Sequence, residues 1–195
     1  MQNLPVPFDR RVWLECRALV DAGYDVSVIC PTGPGGEGRF EVLDGVRIHR
    51  YPPPRPASGI ASYAWEFAYC WSRTAALARR ILREDGMDVL QACNPPDTYF
   101  ALGRLLRRFG VRFVFDQHDL CPETYASRFE APSPLLHRGL LRLERATYRT
   151  ADHVIVTNSS YRRVAIDRGD LPADRVTVVR TGPDPHRLRR GEPDA

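Results

Sequence analysis

The fold of this chain is decided by the stretch Val111-Arg112-Phe113-Val114-Phe115-Asp116-Gln117, which follows a glycine. Its β-branched and aromatic residues predict a strand. A run this apolar is typical of a central strand in a parallel sheet. Helices are predicted on either side of it, at 97–109 and 134–150, because both segments have helical periodicity.

The same alternation extends outward along the whole chain. Further strands are predicted at 25–30, 46–51, 87–93, 153–157 and 176–179, and further helices at 11–23, 60–84 and 159–168. Strands that alternate with helices predict an α/β fold, a doubly wound parallel sheet with helices on both faces. The length of 195 residues suits one domain. We expect this domain to span residues 1–183 and residues 184–195 to form a polar linker or tail.

Composition excludes several classes of protein. All 28 basic residues are arginine, and the net charge is only +4. The sequence has no basic run interleaved with aromatic residues, so nucleic-acid binding is not favoured. The 5 cysteines form no CxxC pair and no zinc-like spacing, so reduced thiols in a cytoplasmic protein are expected. The sequence does not open with a basic region followed by an apolar run, so no signal peptide is expected. No apolar stretch reaches about 18 residues, so no membrane-spanning helix is expected.

Ligands of doubly wound sheets bind beyond the carboxyl ends of the strands, so polar residues directly after a strand are site candidates. The segment 116–123 follows the most apolar strand and contains an imidazole and three carboxylates. We predict His118 and Asp119 as catalytic residues there, the alternative being that they cap the next segment. Asn94 follows the preceding strand and is a second candidate, although Pro95, Pro96 and Asp97 would also suit a helix start.

Two more loops are candidates for binding substrate. Arg180 and Gly182 follow the last predicted strand, where a Gly-Pro pair would equally suit a turn into a linker. The opening segment from Asn3 to Arg11 is a proline-stiffened loop that enters a helix, and such a loop presents backbone N–H groups to an anion. Without a glycine it is a weak phosphate-loop signal by itself.

Four motifs in order resemble family 4 glycosyltransferases, which are retaining, metal-independent enzymes of the GT-B fold. They are the opening run 3–13 (NLPVPFDRRVW), the helix–strand unit 22–31 (AGYDVSVICP), the loop 117–123 (QHDLCPE) and the segment 178–184 (VVRTGPD). The resemblance implies that His118 contacts the transferred sugar or its phosphate. It implies that Phe8, Asp9 and Arg10 line the floor of the cleft, and that Asn94, Asp119 and Glu123 lie on the acceptor side.

The chain departs from this family's pattern in three ways. Thr181 stands where members usually carry Asn, no strand precedes Asn3, and the half that binds most of the nucleotide sugar has no counterpart here. The strands at 25–30 and 87–93 are therefore expected to border a gap, and must pair with each other or leave donors unsatisfied. We expect the isolated chain to be marginally stable and inactive in transfer.

The leading functional hypothesis is a glycosyltransferase N-terminal domain, without cofactor or metal. It would move a sugar from a nucleotide sugar to a hydroxyl of a polysaccharide or lipid-linked acceptor, in cell-surface polysaccharide or glycolipid synthesis. The alternative is a non-catalytic fragment or binding subunit of a split enzyme. A dinucleotide-dependent oxidoreductase is disfavoured because no GxGxxG follows a strand.

The predicted helix at 60–84 has two faces of different composition. At about 100° per residue one stripe forms the expected core face, namely Ile60, Ala64, Phe67, Trp71, Ala75, Ala78 and Leu82. The other side carries aromatic and basic residues, namely Trp65, Tyr69, Arg73, Arg80 and Arg83. Such a face suits peripheral contact with the inner face of the plasma membrane, and a solvated helix face is the alternative.

Overall fold

The computed structural model describes residues 5–33, 35, 37–54 and 60–182, with the side chains of residues 60–64 left aside. The ends of the opening and closing motifs, and the expected tail at 184–195, therefore lie outside the described residues. The helices are α1 (Arg10–Asp21), α2 (Ile60–Glu84), α3 (Phe100–Arg107), α4 (Cys121–Arg128), α5 (Pro134–Thr150) and α6 (Ser159–Gly169). The strands are β1 (Ser27–Pro31), β2 (Phe40–Leu43), β3 (Val46–Tyr51), β4 (Val89–Cys93), β5 (Arg112–Gln117), β6 (His153–Val156) and β7 (Val176–Val178).

The strands form two sheets. One has the order β1-β3-β2 and the other the order β4-β5-β6-β7. All neighbouring strands are parallel except β2, which runs antiparallel to β3. β5 lies between β4 and β6, and its Phe113 and Phe115 are fully buried, so the prediction of an apolar central strand is confirmed.

The predicted gap is present between the two sheets. Strands β1 and β4 are edge strands and do not pair with each other in the described part of the chain. Side chains join the sheets instead, since Ile29 of β1 packs in one cluster with Leu90 and Ala92 of β4. The two sheets therefore adhere through apolar contacts rather than through a continuous hydrogen-bond ladder.

Helices cover the two sheets differently. Residues Val28 and Cys30 of β1 pack in a cluster with α1, whereas Ile29, which points to the opposite face, packs in a cluster with α2. The second sheet packs α3, α5 and α6 against the face that carries Phe113 and Phe115. Its other face carries the exposed side chains of Val89, Gln91, Arg112 and Thr177. α1 covers the carboxyl end of this other face, where it contacts Cys93 and Asp116, so the second sheet is covered on one face and partly covered on the other.

Two elements and one boundary differ from the sequence prediction. β2 was not predicted, and it forms a hairpin with β3 through Asp44 and Gly45, both with positive φ (47° and 81°), as this kind of tight turn requires. α4 occupies a segment predicted only as a loop. α3 begins at Phe100 rather than Asp97, and the buried Asp97 side chain accepts a hydrogen bond from Asn94 instead of capping the helix.

The bounds of α2 agree with the prediction, and most of its expected core face is confirmed. Ala78 is buried in one cluster with Leu102 and Leu106 of α3, and Trp71, Ala75 and Leu82 pack against this cluster. Phe67 was wrongly assigned to the core, since it is 43% exposed. The side chains of Ile60 and Ala64 are outside the described set. In the described part of the chain, no helix is long and apolar enough to span a bilayer.

Candidate functional site

Three segments that are distant in sequence meet at the side chain of Arg11, in the first turn of α1. Its Nη2 donates to Asp116 Oδ1 at 2.9 Å, at the end of β5. Its Nη1 donates to the carbonyl oxygen of Val179 (2.8 Å) and to Thr181 Oγ1 (3.1 Å), directly after β7. Arg11 therefore binds the opening segment to the carboxyl edge of the second sheet.

Asp116 is the buried anion of this site, with no exposed surface. Burial would raise the pKa of its carboxyl group, but the hydrogen bonds from His118 and Arg11 outweigh burial and hold that pKa below its ordinary value. The carboxylate is therefore ionised at neutral pH and acts only as a hydrogen-bond acceptor.

The ionised carboxylate determines which nitrogen of His118 carries a proton. His118 Nε2 lies 2.7 Å from Asp116 Oδ2, a distance that needs a hydrogen between the two atoms, and the carboxylate has none to give. Nε2 is therefore the protonated nitrogen, and Arg11 Nε, 3.1 Å away, is a close neighbour rather than a second donor. Nδ1 has no hydrogen-bond partner in the described part of the chain and is not enclosed, so it is the nitrogen open to a ligand.

Two further side chains surround the buried carboxylate. Burial and the negative charge of Asp116 raise the pKa of Glu15 to about 7. This carboxyl group accepts from Gln91 and pairs with Arg11 at 3.1 Å. Burial raises the pKa of the Cys93 thiol well above its ordinary value, so the thiol stays protonated and lies 3.6 Å from Asp116 Oδ2. A neutral, buried thiol is not a nucleophile.

Cys93, Asp116 and His118 offer three ligand atoms within 4.8 Å of one another, a spacing that could hold a metal ion. The Arg11 guanidinium already bonds this carboxylate and touches the imidazole nitrogen. A divalent cation there would sit beside a fixed positive charge. The donor set is therefore better suited to the guanidinium than to a metal.

Asn94 is buried and holds the loop that carries His118 and Asp119. Its Oδ1 accepts from the backbone N–H groups of both residues, at 2.7 and 3.1 Å. Its Nδ2 donates to Asp97 Oδ1 (2.9 Å) and to the carbonyl oxygen of Asp119 (2.7 Å). The prediction that His118 and Asp119 lie at the carboxyl edge, beside the opening segment and Asn94, is confirmed. Asn94 shapes this loop from within rather than facing solvent.

The remaining predicted residues take different positions around this edge. Asp9 caps α1, its Oδ1 accepting from the N–H of Val12 at 3.1 Å. Phe8 is 60% exposed, and Arg10 is exposed at the first position of α1. Arg180 and Gly182 are exposed after β7, next to the Thr181 that Arg11 binds.

Glu123 is the predicted residue whose carboxylate is already engaged. It accepts from Arg168 of α6 at 2.5 and 3.2 Å, and the same guanidinium bonds the buried Glu144 of α5 at 2.8 Å. This arrangement ties α4 to α5 and α6. The ion pair with Arg168 explains the position of the Glu123 carboxylate, and no ligand is needed to explain it.

Sequence reasoning missed the centre of the site, namely Arg11, Asp116 and Glu15. Arg11 and Glu15 lie at i and i+4 of a helix, which reads as an ordinary surface ion pair. Asp116 lies on the face of β5 opposite Phe113 and Phe115. The one signal for it in the sequence was a carboxylate at the end of the most apolar strand. Nothing in the pattern indicated that Arg11 reaches it.

Structural comparison finds similar folds in larger proteins. A sucrose-phosphate synthase from Thermosynechococcus elongatus is similar, with a TM-score of 0.64 and 14% sequence identity over 90% of this chain and 43% of that chain. UGT73P12 of Glycyrrhiza uralensis, solved with glycyrrhetinic acid 3-O-monoglucuronide, is similar with a TM-score of 0.55 and 11% identity over 89% of this chain and 46% of that chain. This chain thus spans less than half the length of either. Its fold is that of one half of a GT-B architecture.

Sequence comparison gives the family. Comparison with curated proteins finds no match. The glycosyl transferase 4-like domain matches residues 9–182, which include every predicted site residue except Phe8. This match covers most of the chain, and the chain therefore belongs to the glycosyl transferase 4-like domain family.

Proposed function

We propose that this domain forms the acceptor-side half of a retaining glycosyltransferase. The enzyme would move a sugar from a nucleotide-sugar donor to a hydroxyl group of a polysaccharide or lipid-linked acceptor. The observation that carries the proposal is the cluster at the carboxyl edge of β5, where His118 is oriented by a buried carboxylate and presents an open Nδ1.

The exposed groups at this edge match the charges of the reaction. An open imidazole nitrogen can accept a hydrogen bond from a sugar hydroxyl, or donate one to a phosphate oxygen when protonated. The Asp119 carboxylate, half-buried beside it, is suited to accept a hydrogen from the acceptor hydroxyl. Arg10 and Arg180 are exposed cations that can stabilise a leaving diphosphate without a metal.

The test is a transfer assay with the chain alone and with the complete reading frame that encodes it, using a panel of labelled nucleotide sugars. We expect transfer from the complete protein and none from the isolated chain, because the cleft needs a second wall. His118→Ala in the complete protein should lower the transfer rate at least about 100-fold. Full activity of this variant would refute the role of His118. Turnover by the isolated chain would refute the claim that this domain supplies only one half of the cleft.

A binding subunit without catalysis is the alternative that the same assay addresses. If the complete protein binds a glycan acceptor but transfers no sugar from any donor in the panel, the binding role replaces the catalytic one. Asp119, half-buried in the loop that Asn94 holds next to His118, suits either role.

We further propose synthesis of cell-surface polysaccharide or glycolipid as the setting, with the domain on the cytoplasmic face of the plasma membrane. Support comes from α2, where Trp65 projects into solvent and Arg73 and Arg83 are exposed. Arg80 is paired with Glu84 on the same helix, at 2.9 Å. Co-sedimentation with anionic liposomes tests this face, and unchanged binding after Arg73→Ser with Arg83→Ser would exclude it.

A further inference from the structure

Four arginines form one stripe along α5, a helix that the sequence reasoning assigned no function. Arg138, Arg142, Arg145 and Arg149 are separated by four, three and four residues, which at about 100° per residue places them within roughly 60° of one another around the helix. All four are exposed. None has a hydrogen bond or an ion pair with any described residue.

The stripe has no compensating acid on its own helix. Glu144 is the only acidic residue of α5, and it is fully buried and bonded to Arg168 on the inner side. On α2, by contrast, Arg80 is paired with Glu84. The four α5 guanidinium groups therefore present positive charge that no described residue neutralises through an ion pair, which is the complement of an anionic surface.

Exposed apolar side chains lie at one end of the stripe. Leu135 in the first turn of α5 is 75% exposed, and at about 100° per residue it lies roughly 50° from the centre of the stripe. Phe129, just before the helix, is also exposed and stacks on Tyr125 with ring centroids 5.1 Å apart. Because α5 leads into β6, which runs parallel to β5, its first turn lies toward the carboxyl edge that holds His118.

We propose that the α5 stripe, together with Leu135 and Phe129, docks on the surface of an anionic bilayer. The two apolar residues enter the interface at one end of the stripe, and the arginines bind lipid phosphates. A nucleic acid would match the arginines but would leave the two exposed apolar side chains without a role. With the apolar end beside the sheet's carboxyl edge, docking brings the candidate site to the membrane, where a lipid-linked acceptor lies.

This inference deepens the membrane part of the proposed function and stands on α5 alone, independent of sugar transfer and of α2. The experiment measures partition of the full chain onto vesicles of phosphatidylcholine with about one third phosphatidylglycerol, and onto pure phosphatidylcholine. The variants are Arg138→Ser/Arg142→Ser/Arg145→Ser and, as the leucine variant, Leu135→Ser. The matched control, Arg17→Ser/Arg39→Ser/Arg112→Ser, removes equal charge from exposed positions elsewhere.

We expect the α5 arginine variant to lose about 100-fold in partition onto anionic vesicles, at roughly fivefold for each arginine, and the charge control to lose far less. The leucine variant should also lose affinity for vesicles. Circular dichroism checks that each variant is folded. The proposal is overturned if the α5 arginine variant and the charge control lose equally, or if wild type binds pure phosphatidylcholine as well. It is also overturned if binding to a DNA oligonucleotide needs the α5 arginines while the leucine variant still binds vesicles fully.

Discussion

The replacement Asp116→Asn tests the centre of the site most directly. The carboxylate is buried and lies within reach of three donors, namely Arg11 Nη2 (2.9 Å), His118 Nε2 (2.7 Å) and Cys93 Sγ (3.6 Å). Removing one partner of a buried charge pair costs about 3–5 kcal/mol. Arg11 keeps its bonds to Val179 and Thr181, so we place the loss of unfolding free energy at the low end, about 3 kcal/mol.

The matched control is Asp119→Asn, the same chemical change in the same loop. The Asp119 side chain forms no hydrogen bond with any described residue, so the loss should stay within about 0.5 kcal/mol. Urea unfolding followed by circular dichroism measures both variants. Similar losses for the two, or a loss below about 1 kcal/mol for Asp116→Asn, would refute the account of Asp116 as the anion that Arg11 and His118 require.

The same contacts predict how the stability difference between wild type and Asp116→Asn depends on pH, and which nitrogen of the His118 imidazole carries the hydrogen. The pKa of Asp116 is lowered from 3.8, so its contribution to stability is present above that pH and is lost as the pH falls through the lower folded value. The stability difference between wild type and Asp116→Asn should therefore shrink in acid. Nitrogen NMR of neutral His118 should show the hydrogen on Nε2 in wild type. A hydrogen on Nδ1 instead would contradict the assignment.

Two further changes test the packing that holds the site in place. A Cβ at Gly103 would meet Phe113 Cγ at 2.6 Å, so Gly103→Ala should destabilise by about 1–3 kcal/mol, whereas Gly139→Ala in open space on α5 should stabilise by up to about 1 kcal/mol. Asp152→Ala leaves the N–H of Phe113 without its acceptor at 2.8 Å and should cost about 1–3 kcal/mol. Asp88→Ala, at an exposed position whose side chain has no partner among the described residues, is its control. Urea unfolding measures all four, and equal effects within either pair would contradict the packing described.

The sequence predicted most of the fold because two periodicities dominate it. The run 111–117 is strongly apolar and rich in β-branched and aromatic residues, and 60–84 keeps helical spacing throughout, so both elements were located closely. β2 was missed because it has only 4 residues, and its apolar residues Phe40, Val42 and Leu43 are exposed rather than buried. α4 was missed because its helix carries few apolar residues, with Pro122 as the buried one.

The site was predictable only at its edge. His118 and Asp119 follow a strand, and topology alone brings the carboxyl ends of parallel strands together. The partner of His118 could not be found this way, because Arg11 and Asp116 are 105 residues apart and their contact depends on how α1 is placed over the sheets. That placement is a property of packing between two sheets, which no local pattern encodes.

Arg11 links the stability of the domain to the chemistry of its edge. Because β1 and β4 share no hydrogen-bond ladder in the described residues, the sheets rely on apolar clusters and on the few polar bonds that cross between them. Arg11 supplies several of these bonds, to Asp116, Val179 and Thr181, and lies within 3.1 Å of His118. A change that separates the two sheets would therefore withdraw the guanidinium and leave the Asp116 carboxylate with His118 as its remaining strong donor. The geometry of the imidazole at this edge thus depends on the junction of the sheets as well as on its own loop.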